Sequence, residues 1–313
     1  MGRLDGKVAL VFGAGPNIGG TIAHCLAQEG ARLAVCDLAP AAAETTAQVL
    51  VERGYQAIGL AGNATVEKDV ARVVGQVVDH YGYVDTMVNL AGSVVWGEVT
   101  ELALDDFNRC VSSFLSAGLL TTKHTARAML QGGRRGCLIH LLSTVAHFGE
   151  ASGAAYGAAK AGLLNFARSA AMDLAHAGIR VNTITPCALE HQLWTNMRDE
   201  VVNGAPPRTR TFYSRDDYLK MIPLGRFPRA LDLGRVAAFL ASDDAEFLTG
   251  VDIPVDGGLR FKYPTWRPGD FTGANVEDYV ATLKITRYGE PVADFWEAVG
   301  GRKTQEVGDE RNG

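Results

Sequence analysis

The chain has 313 residues, 47% of them hydrophobic and 21% charged, enough to bury a large core and to exclude disorder as the main state. Thirty Lys and Arg against 35 Asp and Glu give a net charge of −5, the wrong balance for a nucleic-acid partner. No apolar run approaches the ~20 residues that span a bilayer, and the start from Met1 to Lys7 lacks an apolar signal core. Five scattered cysteines, never spaced C-x-x-C, predict a reducing, cytoplasmic setting with no disulfide framework and no metal site.

The first element is a continuous apolar run, Val8 to Phe12. Such a run suits a strand buried on both faces of a parallel sheet. It ends in Gly13-Ala14-Gly15-Pro16-Asn17-Ile18-Gly19-Gly20, and Ile18, Ile22 and Leu26 then follow at helical spacing. Glycines at a strand-to-helix turn admit a pyrophosphate to the backbone, and the helix N-terminus offers free N–H groups. The next strand, residues 33–36, ends at Asp37, whose carboxylate can bond adenosine ribose hydroxyls and repel a 2′-phosphate. Leu38, Ala39 and Pro40 supply no cation for that phosphate, so the cofactor expected is NAD rather than NADP. Further strands are expected at 86–88, 137–142 and 180–184, alternating with amphipathic helices. The fold class expected is a doubly wound parallel α/β sheet in a single domain over residues 1–258.

Ser143 closes the strand at 137–142, and Tyr156 and Lys160 open the following helical pattern. Four residues apart, Tyr156 and Lys160 share one helix face. A lysine ammonium beside a phenol favours the phenolate and lowers its pKa from ~10. A tyrosine tuned in this way exchanges a proton with an alcohol oxygen near neutral pH, and the Ser143 hydroxyl can hold the same oxygen. Residues 189–223 read as a long polar loop without a strand signal, a binding loop or lid. Residues 259–313 form an aromatic tail with helical spacing at Val276, Tyr279, Val280 and Leu283 and at Val292, Phe295, Trp296 and Val299. Residues 259–300 are expected to be ordered and to cover the pocket or a neighbouring subunit, and the polar stretch from Arg302 to Gly313 to be loose.

Taken together, these motifs resemble the short-chain dehydrogenase/reductase family over residues 5–258, about four-fifths of the chain. The family's TGxxxGxG turn is matched by Phe12 to Gly19, its NNAG motif by Asn89-Leu90-Ala91-Gly92, and its serine and YxxxK by Ser143, Tyr156 and Lys160. Its later asparagine and proline are matched by Asn182 and Pro186, and its closing strand by the segment up to Gly258. Departures stand at Phe12, at Asn17 (where tolerance of left-handed backbone would keep the turn), at Leu90 and at Cys187. The family's fourth catalytic residue, an asparagine, aligns with Phe114, one residue after Ser113.

The resemblance implies a Rossmann fold and an NAD-dependent interconversion of a secondary alcohol and a ketone, with Ser143, Tyr156 and Lys160 catalytic. It implies a cofactor site of Gly13, Asn17, Ile18, Gly19, Asp37, Asn63, Asn89, Ala91, Gly92, Tyr156, Lys160, Pro186 and Leu189. Pocket walls are expected from Trp96, His147, Phe148, Glu150, His191 and Trp194, and their apolar bias suggests a bulky cyclic, aryl or steroid-like substrate. The alternatives are a carbonyl or 3-oxoacyl reductase, and a dinucleotide-binding sensor or scaffold that has lost turnover. A homodimer or homotetramer is the family's usual assembly.

Overall fold

The computed structural model describes residues 2–15, 17–189 and 215–262, and two short strands at 286–287 and 290–291. The chain divides into two units, Met1–Lys262 and Tyr263–Gly313. In the first, β1 (Val8–Phe12), α1 (Ile18–Gln28), β2 (Arg32–Asp37), α2 (Pro40–Glu52), β3 (Ala57–Ala61), α3 (Glu67–Tyr81) and β4 (Thr86–Asn89) come first. Then follow α4 (Leu104–Gln131), β5 (Gly136–Leu141), α5 (Ala154–Leu174), β6 (Ile179–Pro186), α6 (Arg215–Met221), α7 (Ala230–Ala241) and β7 (Asp252–Val255). The second unit holds an antiparallel pair, Thr286–Arg287 with Glu290–Pro291. The expected tail helices lie outside the described residues.

Seven strands form one parallel sheet in the order β3-β2-β1-β4-β5-β6-β7. Alternate side chains of β1 enter two separate cores, which is why its sequence is continuously apolar. Ala9 and Val11 pack with Ile22 and Leu26 of α1 and Leu233, Ala237 and Leu240 of α7. Val8, Leu10 and Phe12 pack with Val70, Val73 and Val77 of α3, Ala117 of α4 and Ala167 and Ala171 of α5. On the first face the backbones of α1 and α7 approach closely: a Cβ on Gly234 would lie 2.4 Å from the Cys25 sulfur.

Strand order reverses between β1 and β4, so their carboxyl ends open a crevice, the place where open α/β sheets bind ligands. The segment expected as a structureless loop at 189–223 is helical at Arg215–Met221. Tyr218 of that helix stacks on Phe227 at 5.6 Å, and its hydroxyl accepts a hydrogen bond from the Ala188 N–H at 3.2 Å. The two ends of the segment are thus tied together. Residues 190–214 lie outside the described part.

Candidate active site

The turn after β1 can be made only with glycine at two positions. Gly13 has φ +77°, and a Cβ there would sit 3.1 Å from the Ala91 nitrogen. A Cβ on Gly19 would come within 2.1 Å of the Gly13 carbonyl oxygen. The N–H groups of Gly13 and Ala14 donate to the Cys36 carbonyl, which anchors the turn on β2. Asn17 precedes α1 with φ −109°, so left-handed tolerance is not what the turn asks of it; its side chain makes no capping bond and the first helical turn holds no acidic residue. The helix N-terminus keeps its partial positive charge uncompensated, and that geometry fits a dinucleotide pyrophosphate.

Asp37 ends β2. One carboxylate oxygen accepts from the Ala39 N–H at 3.0 Å, and the other lies 3.4 Å from where a Cβ on Gly15 would be. The carboxylate therefore faces the glycine turn. Asn63 stands apart from the cleft walls, its oxygen accepting from the backbone N–H and hydroxyl of Thr65. Asn89, also behind the walls, shapes the loop after β4 by accepting the Ala91 N–H at 3.1 Å. The Asn89 amide lies 3.4 Å from His140 Nδ1, and His140 Nε2 lies 3.0 Å from the Thr122 hydroxyl. Burial holds His140 neutral, its pKa pushed down to about 3.

Ser143, Tyr156 and Lys160 meet on one wall of a cleft of about 290 Å³. Gly13, Asn17, Ile18, Gly19 and Asp37 line its other end, and Gly92, Pro186 and Leu189 also face it. Ser143 leaves β5 in extended conformation; its hydroxyl accepts from the Val145 N–H at 3.5 Å and is near enough to the Tyr156 phenol to draw its pKa down. Lys160, 4% exposed, donates to the Leu141 carbonyl at 2.7 Å. Its ammonium lies 5.8 Å from the Tyr156 ring centroid and 4.2 Å from that of Phe114.

The expected lowering of the Tyr156 pKa is not found in the chain alone. Burial pushes the phenol up to about 12, Ser143 draws it down and the charge of Glu150 raises it. Lys160 is itself pushed down to about 7 by burial. Its ammonium is bonded to Leu141 and not to the phenol oxygen, so spacing on the helix face did not translate into direct contact.

Of the expected pocket residues, Trp96 meets the Tyr156 ring edge-on at 5.7 Å. It is placed there by a bond from the Gly97 N–H to the Ser152 carbonyl. His147 turns away: its Nε2 lies 3.0 Å from an Asp252 oxygen that also receives Arg260 at 2.9 Å. Phe148 is exposed, and neither it nor Glu150 is among the cleft walls. His191 and Trp194 lie outside the described residues. The walls include Val94 on the loop after β4 and Leu141 and Leu142 at the end of β5, which the motifs did not single out because a lone aliphatic side chain carries no pattern. Among the described residues no group of His, Cys, Asp or Glu could hold a metal ion, and no helix is long and apolar enough to cross a membrane. All five cysteines are free and buried.

A family model described as enoyl-(acyl carrier protein) reductase matches residues 13–260. Sorbitol dehydrogenase of Cereibacter sphaeroides is 32% identical over 257 residues, covering 82% of this chain and 98% of that protein. D-threitol dehydrogenase of Mycolicibacterium smegmatis is 33% identical, covering 83% of this chain and 95% of that one. The 3-oxoacyl-(acyl carrier protein) reductase of Vibrio cholerae is 32% identical over 82% of this chain and 98% of its own. Among solved structures, a short-chain dehydrogenase/reductase from Burkholderia xenovorans superposes with a TM-score of 0.74 at 31% identity, covering 84% of this chain and all of that one. With its seven-stranded parallel sheet, glycine turn and Ser143–Tyr156–Lys160 wall, the chain belongs to the short-chain dehydrogenase/reductase family.

Proposed function

We propose that this oxidoreductase uses NAD to interconvert a bulky apolar secondary alcohol and its ketone, with Tyr156 as general acid–base. The observation that carries the reading is the convergence of Ser143, Tyr156 and Lys160 on one cleft whose far end is the glycine turn and Asp37. The uncapped N-terminus of α1 and the glycine cradle fit the pyrophosphate, and Asp37 fits the ribose hydroxyls while opposing a 2′-phosphate. When bound, NAD would supply a carbon that accepts a hydride and a positive charge.

Ser143 holds the substrate oxygen by hydrogen bonding. Tyr156 removes the hydroxyl proton as the alcohol carbon is oxidised, and returns it in the reverse direction. With its pKa near 12 in the chain alone, the phenol is a weak source of phenolate at neutral pH. It gains base character when cationic charge is gathered beside it. Lys160 would contribute part of that charge in its protonated form and would hold the nicotinamide ribose.

Val94, Phe114, Leu142, Cys187 and Leu189 give the cleft apolar walls, which supports a bulky apolar alcohol. A second reading, a small polyol or diol, is favoured by relatives named for sorbitol, threitol and meso-2,3-butanediol. We place the protein in the cytoplasm as a dimer or tetramer. NAD-linked turnover of a panel of cyclic and aryl secondary alcohols, set against sorbitol, threitol and butanediol, tests the proposal. Higher kcat/KM on the apolar set supports it, higher values on the polyols support the second reading, and no turnover of either points to a sensor or scaffold.

A further inference from the structure

Lys160 carries a charge to a place with few polar partners. One N–H is taken by the Leu141 carbonyl at 2.7 Å. The groups near it that titrate are Tyr156 on its own helix, Cys110 on α4 and neutral His140 on β5. Among the described residues, no carboxylate forms an ion pair with it. The Phe114 ring takes up one side, its centroid 4.2 Å from the ammonium nitrogen, well inside the ~6 Å range of cation–π attraction.

Phe114 is held for that contact. It is 3% exposed, and its ring lies on Gly92, where a Cβ would come within 2.1 Å of two ring carbons. Gly92 has φ +154°, so both backbone and space there depend on glycine. The ring also meets Tyr156 at 5.5 Å with a 45° tilt. One phenyl ring thus touches both the lysine and the tyrosine of the site.

We propose that Phe114 is a positioning residue for the reaction: its ring face stands in for a polar partner of the Lys160 ammonium, fixes that cation between α4 and β5, and through it tunes Tyr156. The consequence for Tyr156 rests on the proposed function, but the contact itself is tested without cofactor or substrate. A ring face stabilises the cation, so weakening its electron density lowers the pKa of Lys160. Fluorine does this with little change in size.

The test is NMR titration of the protein labelled with ε-carbon-13 lysine, the Lys160 signal assigned by its loss in Lys160→Arg. Mono-, di- and trifluorinated phenylalanine are placed in turn at position 114. The inference predicts a stepwise fall in the Lys160 midpoint, about half a pH unit across the series. Phe114→Leu, apolar but without a ring, falls at least as far. The corresponding limb of the kcat/KM pH profile moves in the same direction. A midpoint constant across the fluorinated series, in proteins that melt as wild type does, overturns the inference whether or not Phe114→Leu folds. A shifting midpoint in a protein that turns over no alcohol keeps the contact and rejects the proposed function.

Discussion

At Asp37 the chemistry of cofactor choice comes down to one carboxylate. One oxygen is committed to the Ala39 N–H and the other faces the glycine turn, with Leu38-Ala39-Pro40 offering no cation. Wild type is expected to prefer NAD over NADP by about 100-fold in kcat/KM, or about 2.7 kcal/mol. Asp37→Ala should shrink that ratio, chiefly by relieving repulsion of the 2′-phosphate, and equal efficiency of wild type with the two cofactors would reject the assignment. Lys160 makes a second prediction. Its folded pKa is about 7 against an ordinary 10.5, so between those values the unfolded chain holds a proton that the folded chain has released. Folding stability then rises with pH across that window, by up to about 1.4 kcal/mol per pH unit. Lys160→Met has no such dependence, so wild type should gain on it between urea melts at pH 7 and pH 9.5; a constant gap would show that Lys160 titrates normally. Asp37 was legible because a strand-end acid after a glycine turn has a meaning in sequence. The pKa values of Tyr156 and Lys160 were not, because they depend on burial by residues as distant as Phe114 and Leu141.

Three elements, β4, β5 and α4, are tied behind the cleft by Asn89, His140 and Thr122. Their link ends at the Ala91 N–H and so sets the loop that carries Gly92. His140 is neutral in the folded chain to about pH 3, whereas the unfolded residue protonates near 6.5. Its contribution is complete above pH 6.5 and is lost progressively as pH falls from there toward 3. His140→Gln should therefore show a shallower acid limb than wild type in denaturant melts between pH 6.5 and 4, and parallel limbs would contradict the neutral buried state. Continuous apolar runs made β1, β2, β4, β5 and β6 readable, since burial on both faces leaves no room for polar alternation. The strand β3 was not, because Ala57, Ile58, Leu60 and Ala61 of this edge strand are only partly covered or, at Gly59, exposed. Helix α6 was hidden by its polarity and short length. The turn of His147 toward Asp252 depends on a partner more than a hundred residues away, which no local pattern announces.

In the whole molecule, the reversal of strand order at β1 and β4 creates the crevice, and the ends of β5 and the head of α5 bring the reactive side chains to it. The sheet and the described cleft lie in the unit Met1–Lys262. The covering role expected of the aromatic tail beyond it falls mostly outside the described residues. Truncation after Lys262 should leave the fold intact by circular dichroism but change either the mass in light scattering or the range of alcohols accepted. No change in either would reject a covering role. The central claim, that Tyr156 moves the proton while the cleft holds NAD, is tested most directly by Tyr156→Phe, with NAD affinity measured by calorimetry alongside turnover. The account predicts affinity within a few-fold of wild type and kcat lowered by roughly 10²–10⁴. A variant that binds NAD normally and retains more than about a tenth of the wild-type kcat would contradict it, since general acid–base catalysis at this site would then belong to another group.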